Sequence, residues 1–192
     1  MLKKFLAGIF LLMIISAQAS AIRLEFDPEP IGKISFDGDK FEIEGATKID
    51  GDNLKGVALF GEDFYFHFDA DRIYNRFGDR DKKNTAEVDI YGETEIFQIG
   101  NTAGADFYLL RKDSGTGDLI KVLGLRDGKW IEFFDVRTLR EKYDIGWNFY
   151  MTKFFTEDNK IIFRYQLQNN FIDVVCRWHA VNQKFYTEAI EH

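Results

Sequence analysis

The chain has a single cysteine, Cys176, and only two prolines among its 192 residues. One cysteine cannot form an internal disulfide, so the fold must be stabilised by the burial of apolar groups. Histidine is also scarce, and His67, His179 and His192 have no cysteines or carboxylates at the spacing of zinc ligands. The sequence therefore predicts neither a cofactor nor a zinc centre.

Serine is rare as well, and no Pro-rich or Ser-rich linker divides the chain. After residue 21 the only serines are Ser35 and Ser114, and neither lies in the Gly-x-Ser-x-Gly turn that presents a hydrolase nucleophile. These absences argue against a serine hydrolase. They also predict that residues 22–192 form one domain.

Long apolar runs are absent except at the start of the chain. There Lys3 and Lys4 precede the apolar run Phe5–Ile15, and the small-residue cleavage sequences of Ala17–Ala21 follow. This pattern predicts a cleaved signal peptide over residues 1–21 and a location in a bacterial periplasm or outside the cell. An apolar core of 11 residues is shorter than the ~20 that span a bilayer. We therefore expect no stable membrane insertion after cleavage.

Positive charge is in the minority, since the formal net charge is −7. Cleavage would remove two of the 25 basic residues, which leaves 23 against 32 acidic residues and a formal charge of −9. An acidic surface repels phosphate groups, so nucleic acid and anionic membranes are not expected as partners. A protein or a glycan is the expected ligand.

Alternation of apolar and polar residues runs from Ile22 to the C-terminus, interrupted by Gly, Asp and Asn, and it predicts short half-buried strands. Asp127-Gly128 predicts a tight hairpin between residues 119–126 and 129–136. Asn169-Asn170 predicts a second hairpin, in which Leu167 pairs with Ile172. Long helices are not predicted.

Two segments have the pattern of short helical turns. Asp71 could cap a turn that ends at Gly78, with apolar residues between them. Asp135 precedes Val136, Leu139 and Tyr143, which lie on one face of a helix. Both segments are too short to form a layer of the fold.

A short aromatic motif recurs along the chain. Asp63-Phe64-Tyr65, Asp106-Phe107-Tyr108 and Asn148-Phe149-Tyr150 follow one another at 43 and then 42 residues, and Ile22–Asp27 lies 42 residues before Phe64–Asp69. The spacing predicts four repeats of about 42 residues in a small propeller-like array. The predicted class is an all-β antiparallel meander of about 12 to 14 strands, with a β-sandwich or β-barrel as the alternative. We expect the recurring aromatics to begin strands and pack in the core.

Four residues are candidates for chemistry or ligand binding. Glu132 and Asp173 occupy matching repeat positions and could hydrolyse a glycoside if held ~5 to 9 Å apart, although equivalent solvent-facing strand positions explain them more naturally. Trp147 and Tyr150 could be exposed rings that bind a sugar or a peptide, with core packing as the alternative.

Asp69 and Asp71 are candidate ligands of a calcium ion, which prefers oxygen-rich loops. However, Arg72 and Ile73 follow where further ligands should come.

The sequence as a whole favours a non-enzymatic secreted module that binds a protein or glycan at the cell envelope. A carbohydrate-active hydrolase that uses loop carboxylates and a calcium-stabilised structural subunit are the alternatives. A pocket with two converging carboxylates would favour the hydrolase.

Overall fold

The computed structural model describes residues 25–72, 75–90, 92–100, 105–112 and 119–192. The predicted signal peptide, residues 1–21, and the predicted start of the first repeat at Ile22 lie outside the described residues. Within the described ranges, no helix combines the length and the apolar character that crossing a membrane requires.

The described residues form sixteen β-strands and one short α-helix, so the predicted all-β class is confirmed. The strands are β1 (Glu25–Phe26), β2 (Pro30–Phe36), β3 (Phe41–Glu44), β4 (Lys48–Gly51), β5 (Lys55–Phe60), β6 (Phe64–Asp69), β7 (Asn75–Gly78), β8 (Thr85–Val88), β9 (Gly92–Gly100), β10 (Asp106–Lys112), β11 (Ile120–Arg126), β12 (Lys129–Asp135), β13 (Tyr150–Glu157), β14 (Lys160–Leu167), β15 (Asn170–His179) and β16 (Lys184–Glu191). The helix, α1, is Val136–Lys142.

The strands form three open sheets. Sheet I has the order β4-β5-β6-β7-β8, sheet II the order β12-β11-β10-β9-β2-β3, and sheet III the order β1-β13-β14-β15-β16. Neighbouring strands are antiparallel except that the two-residue β1 pairs in parallel with β13. The chain is therefore largely a meander. The first three strands are the exception, because β1 lies in sheet III whereas β2 and β3 lie in sheet II.

Sheet II is covered on both faces, because two apolar clusters use its strands. On β10, Phe107 and Leu109 join the cluster shared with sheet III, whereas Tyr108 and Leu110 join the cluster shared with sheet I. Successive side chains of a strand point to opposite faces, so a strand that is apolar at every position is buried on both sides. The architecture is a sandwich of three layered sheets.

The Phe-Tyr motifs do begin strands, as predicted, but not all of their rings pack in the core, because Tyr65 and Phe149 are half-buried and Tyr150 is exposed. Phe64 begins β6, Phe107 is the second residue of β10, and Tyr150 begins β13. However, β6 is the third strand of sheet I. In sheet II the strands β9 to β12 are consecutive along the chain, and β10 is the second of them. In sheet III the consecutive strands are β13 to β16, and β13 is the first. The motifs do not occupy equivalent places, and the predicted propeller-like repeat is not confirmed.

One predicted hairpin is confirmed and the other has the wrong register. At the first turn Arg126 pairs with Lys129, and Asp127 and Gly128 both have positive φ, at 51° and 71°. At the second, Leu167 pairs with Asn170, so the register is shifted by two residues from the predicted one. The positive φ falls on Gln168, at 53°, instead of an asparagine. A shift of two residues leaves every side chain on its predicted face, which is why the apolar pattern could not reveal it.

One predicted helical turn is confirmed and the other is wrong. Asp135 caps α1, because its side chain accepts a hydrogen bond from the backbone N–H of Arg137. The second half of the other segment is β7, in which Phe77 pairs with Phe66 on β6 and is fully buried. Burial of this ring against sheet I outweighs the local capping pattern around Asp71.

His67 on β6 is a buried titratable group, with only 4% of its surface exposed. Its Nε2 donates a hydrogen bond to the carbonyl oxygen of Asp79 at 2.6 Å. Burial disfavours the charged imidazolium and therefore lowers the pKa of His67 below the ordinary 6.5. In the unfolded chain the same group binds a proton below about pH 6.5, so acid favours unfolding.

We expect the free energy of unfolding to fall as the pH decreases from 6.5 through the lowered pKa of His67. His67→Gln should remove this part of the pH dependence, because glutamine can still donate to the Asp79 carbonyl. Urea unfolding between about pH 7.5 and 5 measures the slope, in a range where the carboxylates remain ionised. The matched control is His179→Gln at an exposed position. An unchanged slope in His67→Gln would contradict the assignment.

Candidate functional site

The ends of all three sheets meet around an open pocket of about 450 Å³, here called the three-sheet pocket. Sheet I contributes Asp63 from the turn before β6, and sheet II contributes Asp106, Tyr108 and Trp130. Sheet III contributes Trp178 and, in the turn between β15 and β16, Gln183. The side chains with polar or aromatic groups on its wall are Asp63, Asp106, Tyr108, Trp130, Trp178 and Gln183.

The aromatic part of this wall is held rigidly from behind. The ring of Tyr108 stacks on that of Phe64, with centroids 3.9 Å apart and planes 5° from parallel. Trp130 is fixed by two hydrogen bonds, from its Nε1 to Asp79 Oδ1 at 2.8 Å and from its backbone N–H to Asn84 Oδ1 at 2.8 Å. Because these rings already have fixed positions, a ligand that packed against them would order few side chains on binding.

Two carboxylates lie on the same wall as these rings. The Tyr108 hydroxyl donates a hydrogen bond to Asp63 Oδ1 at 3.0 Å. Burial raises the pKa of Tyr108 well above its usual range, and the negative charges of Asp63 and Asp106 raise this pKa further. The phenol therefore remains protonated and donates to Asp63, whose other carboxylate oxygen and the Asp106 carboxylate provide further acceptors.

Gln183 joins the pocket to a hairpin of another sheet. Its Oε1 accepts a hydrogen bond from the backbone N–H of Asp127 at 2.6 Å. Both residues are turn residues with positive φ, at 45° for Gln183 and 51° for Asp127. This bond connects the β11–β12 turn with the β15–β16 turn and fixes an amide group at the pocket wall.

The arrangement combines flat apolar rings with hydrogen-bond acceptors and an amide. The three rings expose 5% of their surfaces or less, so the accessible groups of the wall are mainly the Asp63 and Asp106 carboxylates and the half-buried Gln183 amide. These groups suit the hydroxyl donors of a sugar. Two carboxylates also make the pocket unfavourable for anions. The chemistry of the wall therefore suits a neutral polyhydroxylated ligand or a cationic group.

The structure does not bring Glu132 and Asp173 together. Glu132 on β12 accepts a hydrogen bond from Lys121 Nζ at 2.6 Å. Asp173 on β15 faces away from sheet II and accepts two hydrogen bonds at 2.7 Å from the guanidinium of Arg164. Each carboxylate thus has its own cationic partner, and the two ion pairs lie in different sheets. These positions therefore do not form the pair of carboxylates that glycoside hydrolysis requires.

Trp147 and Tyr150 are both exposed, as a ligand-binding role needs, at 74% and 47% of their surfaces. The guanidinium of Arg140 lies 4.6 Å from the centre of the Trp147 ring and holds one of its faces. Tyr150 pairs with Gln166 on β14. No ring contact joins the two residues within the described part of the chain. They are separate surface features, and their role in binding stays a prediction.

The candidate calcium ligands already have cationic partners. Asp69 Oδ2 lies 2.8 Å from Lys55 Nζ and 3.3 Å from Arg72 Nε. The backbone N–H of Asp71 donates to Asp69 Oδ1 at 3.3 Å. Among residues with described positions, no group of three or more His, Cys, Asp or Glu side chains could hold a metal ion. Calcium stabilisation stays a prediction.

Sequence reasoning missed the residues that line the three-sheet pocket. Asp63 and Asp106 attracted attention only as the first residues of two motif copies. The usable signal was their position at the start of a strand, since Asp63 directly precedes β6 and Asp106 is the first residue of β10. A turn at such a place leaves a polar side chain at the edge of a sheet. Trp130 and Trp178 gave no signal beyond that of strand residues, because a sequence does not reveal which strand ends meet.

Comparison with known proteins gives no match to this chain among protein families, curated proteins or solved structures. The geometry of the three-sheet pocket is therefore the basis for its functional interpretation.

Proposed function

We propose that the protein is a non-enzymatic binding module exported to the bacterial cell envelope, and that the three-sheet pocket binds a glycan. The observation that carries the proposal is the wall on which Tyr108, Trp130 and Trp178 stand beside Asp63 and Asp106. The pattern of residues 1–21 supports export.

The size and chemistry of the pocket favour a sugar. Pockets that bind small ligands have volumes of about 300–1,000 Å³, and the three-sheet pocket lies within this range. The rings of Tyr108, Trp130 and Trp178 expose only 1%, 5% and 4% of their surfaces, so a sugar would contact only small parts of them. Its hydroxyls would donate mainly to the exposed carboxylates of Asp63 and Asp106. The acidic surface of the chain adds a reason to expect a neutral or cationic ligand instead of an anionic one.

The test is a binding measurement on the protein without residues 1–21, using a panel of envelope polysaccharides and their soluble fragments. Asp63→Asn and Asp106→Asn keep the shape of the pocket but remove the carboxylate acceptors. We expect each to weaken glycan binding about 10-fold to 100-fold, since a hydrogen bond to a charged group contributes about 1.5–3 kcal/mol. Isothermal titration calorimetry gives the dissociation constants.

Asp71→Asn is the matched control, because it changes an exposed aspartate in a turn outside the pocket. We expect it to bind like the unchanged protein. Equal affinities in all the variants, or no retention by any glycan, would remove the glycan proposal. Binding to envelope fractions that protease treatment of the fraction abolishes would instead identify a protein ligand.

The carbohydrate-active hydrolase is a second candidate, because two carboxylates do line one pocket. In such an enzyme Asp63, which accepts the Tyr108 hydrogen bond, would act as nucleophile or base, and Asp106 would protonate the leaving oxygen. Incubation with the same glycans and measurement of new reducing ends separates the two functions. Release that disappears in both asparagine variants would establish hydrolysis and overturn the non-enzymatic proposal.

A further inference from the structure

Among the residues that the structure describes, strand β16 (Lys184–Glu191) is a free edge of sheet III. It pairs with β15 on one side, and it is the terminal strand in the order of the sheet. Ala189 and Ile190 are exposed although they are apolar. An open edge of eight residues is long enough to pair with a further strand.

The hydrogen-bond pattern shows which backbone groups face outward. Phe171 and His192 exchange both of their backbone hydrogen bonds, at 2.9 and 3.4 Å. In an antiparallel pair, residues whose backbone N–H and C=O groups bond to the partner strand alternate with residues whose backbone groups point away from it. Phe185, Thr187 and Ala189 therefore direct their N–H and C=O groups out of the sheet, and within the described ranges no other segment bonds to them.

We propose that β16 pairs in antiparallel fashion with β16 of a second copy of this chain, about a two-fold axis at Tyr186. Sheet III and its symmetry mate would then form one continuous sheet of ten strands. The pairing places Phe185 of each copy opposite Thr187 of the other, where they exchange backbone hydrogen bonds. This inference is independent of any ligand in the three-sheet pocket.

Charge complementarity selects this register. With the axis at Tyr186, Lys184 of each copy lies opposite Glu188 of the other, which creates two opposite-charge pairs. An axis at Glu188 would place two glutamates directly opposite each other, and an axis at Thr187 would place Lys184 opposite Ile190. Lys184 Nζ already lies over the Tyr186 ring, 4.5 Å from its centre, so its charge is close to the proposed axis.

Cysteine crosslinking tests both the pairing and its register. The only natural cysteine, Cys176, is buried, so Tyr186→Cys introduces the single accessible thiol. Opposed residues of this non-hydrogen-bonded kind have Cα atoms about 4.5 Å apart, which permits a disulfide. We expect Tyr186→Cys to form a disulfide-linked dimer under mild oxidation at least 10 times faster than the matched variant Glu188→Cys. Non-reducing electrophoresis follows the reaction, and denaturant should abolish the difference.

Charge reversal provides a second measurement that leaves Tyr186 in place. We expect Glu188→Lys and Lys184→Glu each to weaken dimerisation about 5-fold to 30-fold in sedimentation experiments, and the double variant to restore it. Circular dichroism checks that each variant is folded. The proposal fails if the unchanged protein is monomeric up to about 1 mM. It also fails if the two cysteine variants crosslink at equal rates or if the double variant does not recover.

Discussion

Replacing Phe64 by alanine is expected to lower the free energy of unfolding by about 3–5 kcal/mol. Phe64 is fully buried between sheets I and II, and its ring stacks on Tyr108 at 3.9 Å and on Phe77 at 5.0 Å. Trp130 lies 5.2 Å from it on a third side. Truncation loses the transfer free energy of the ring and leaves a cavity whose rigid aromatic walls cannot collapse. Urea unfolding followed by circular dichroism measures the change.

The matched control is the next residue along the same strand. Tyr65 points to the opposite face of β6 and is only half-buried, so Tyr65→Ala should cost no more than about 1 kcal/mol. Phe64 also supports the ring of Tyr108, so Phe64→Ala should weaken ligand binding in the three-sheet pocket even where the protein remains folded. Equal losses of stability in the two variants would contradict the role assigned to Phe64.

Replacing Arg140 by alanine is expected to lower the free energy of unfolding by about 2–4 kcal/mol. This side chain is buried and donates to three backbone carbonyls: those of Ile145 at 3.2 Å, Gly146 at 2.7 Å and Phe149 at 2.7 Å. Its guanidinium also lies over the ring of Tyr165, 5.3 Å from the centre. The substitution leaves the carbonyl of the buried Ile145, and those of the exposed Gly146 and the half-buried Phe149, without this donor. A buried carbonyl that loses its hydrogen bond destabilises the folded state.

The free energy of unfolding of Arg140→Lys should lie between those of the unchanged protein and Arg140→Ala, because an ammonium group cannot form the same planar set of hydrogen bonds. Lys142→Ala, at an exposed position of the same helix, is the control. It removes one exposed hydrogen bond, from Lys142 Nζ to Thr187 Oγ1, and should change stability by no more than about 1 kcal/mol. Thermal and urea unfolding of the four proteins give the comparison. If Arg140→Ala were as mild as Lys142→Ala, the loop between α1 and β13 would not depend on this arginine.

Local patterns in the sequence were sufficient for the class of fold and for individual elements. The Asp127-Gly128 turn, the cap at Asp135 and the strands that begin at the Phe-Tyr motifs all depend on neighbouring residues. The register at Gln168 was wrong because two registers that differ by two residues bury the same faces. The β7 segment was wrong because Phe77 gains more from burial in sheet I than from a local helical turn.

The candidate site was less predictable, for a different physical reason. The three-sheet pocket exists only because the turn before β6, the start of β10 and the turn after β15 meet in space. Sequence periodicity specifies which side chains share a face, but not which ends of distant strands become neighbours. Glu132 and Asp173 illustrate this limit. Their sequence surroundings are similar, but the two residues lie on different sheets and have different cationic partners.

The parallel contact of β1 with β13 has a consequence for the order in which the chain acquires its structure. Sheet I is built from contiguous strands, so its contacts are available as soon as residue 88 has been synthesised. In contrast, β2 can pair at once with β3 but must wait for its other neighbour, β9, and Glu25 must wait for Lys153, which is 128 residues away. Closing such a loop costs entropy before any contact compensates for it. β1, the first described strand, is thus among the last to pair with its neighbour. During synthesis its backbone N–H and C=O groups are hydrogen-bonded to water instead.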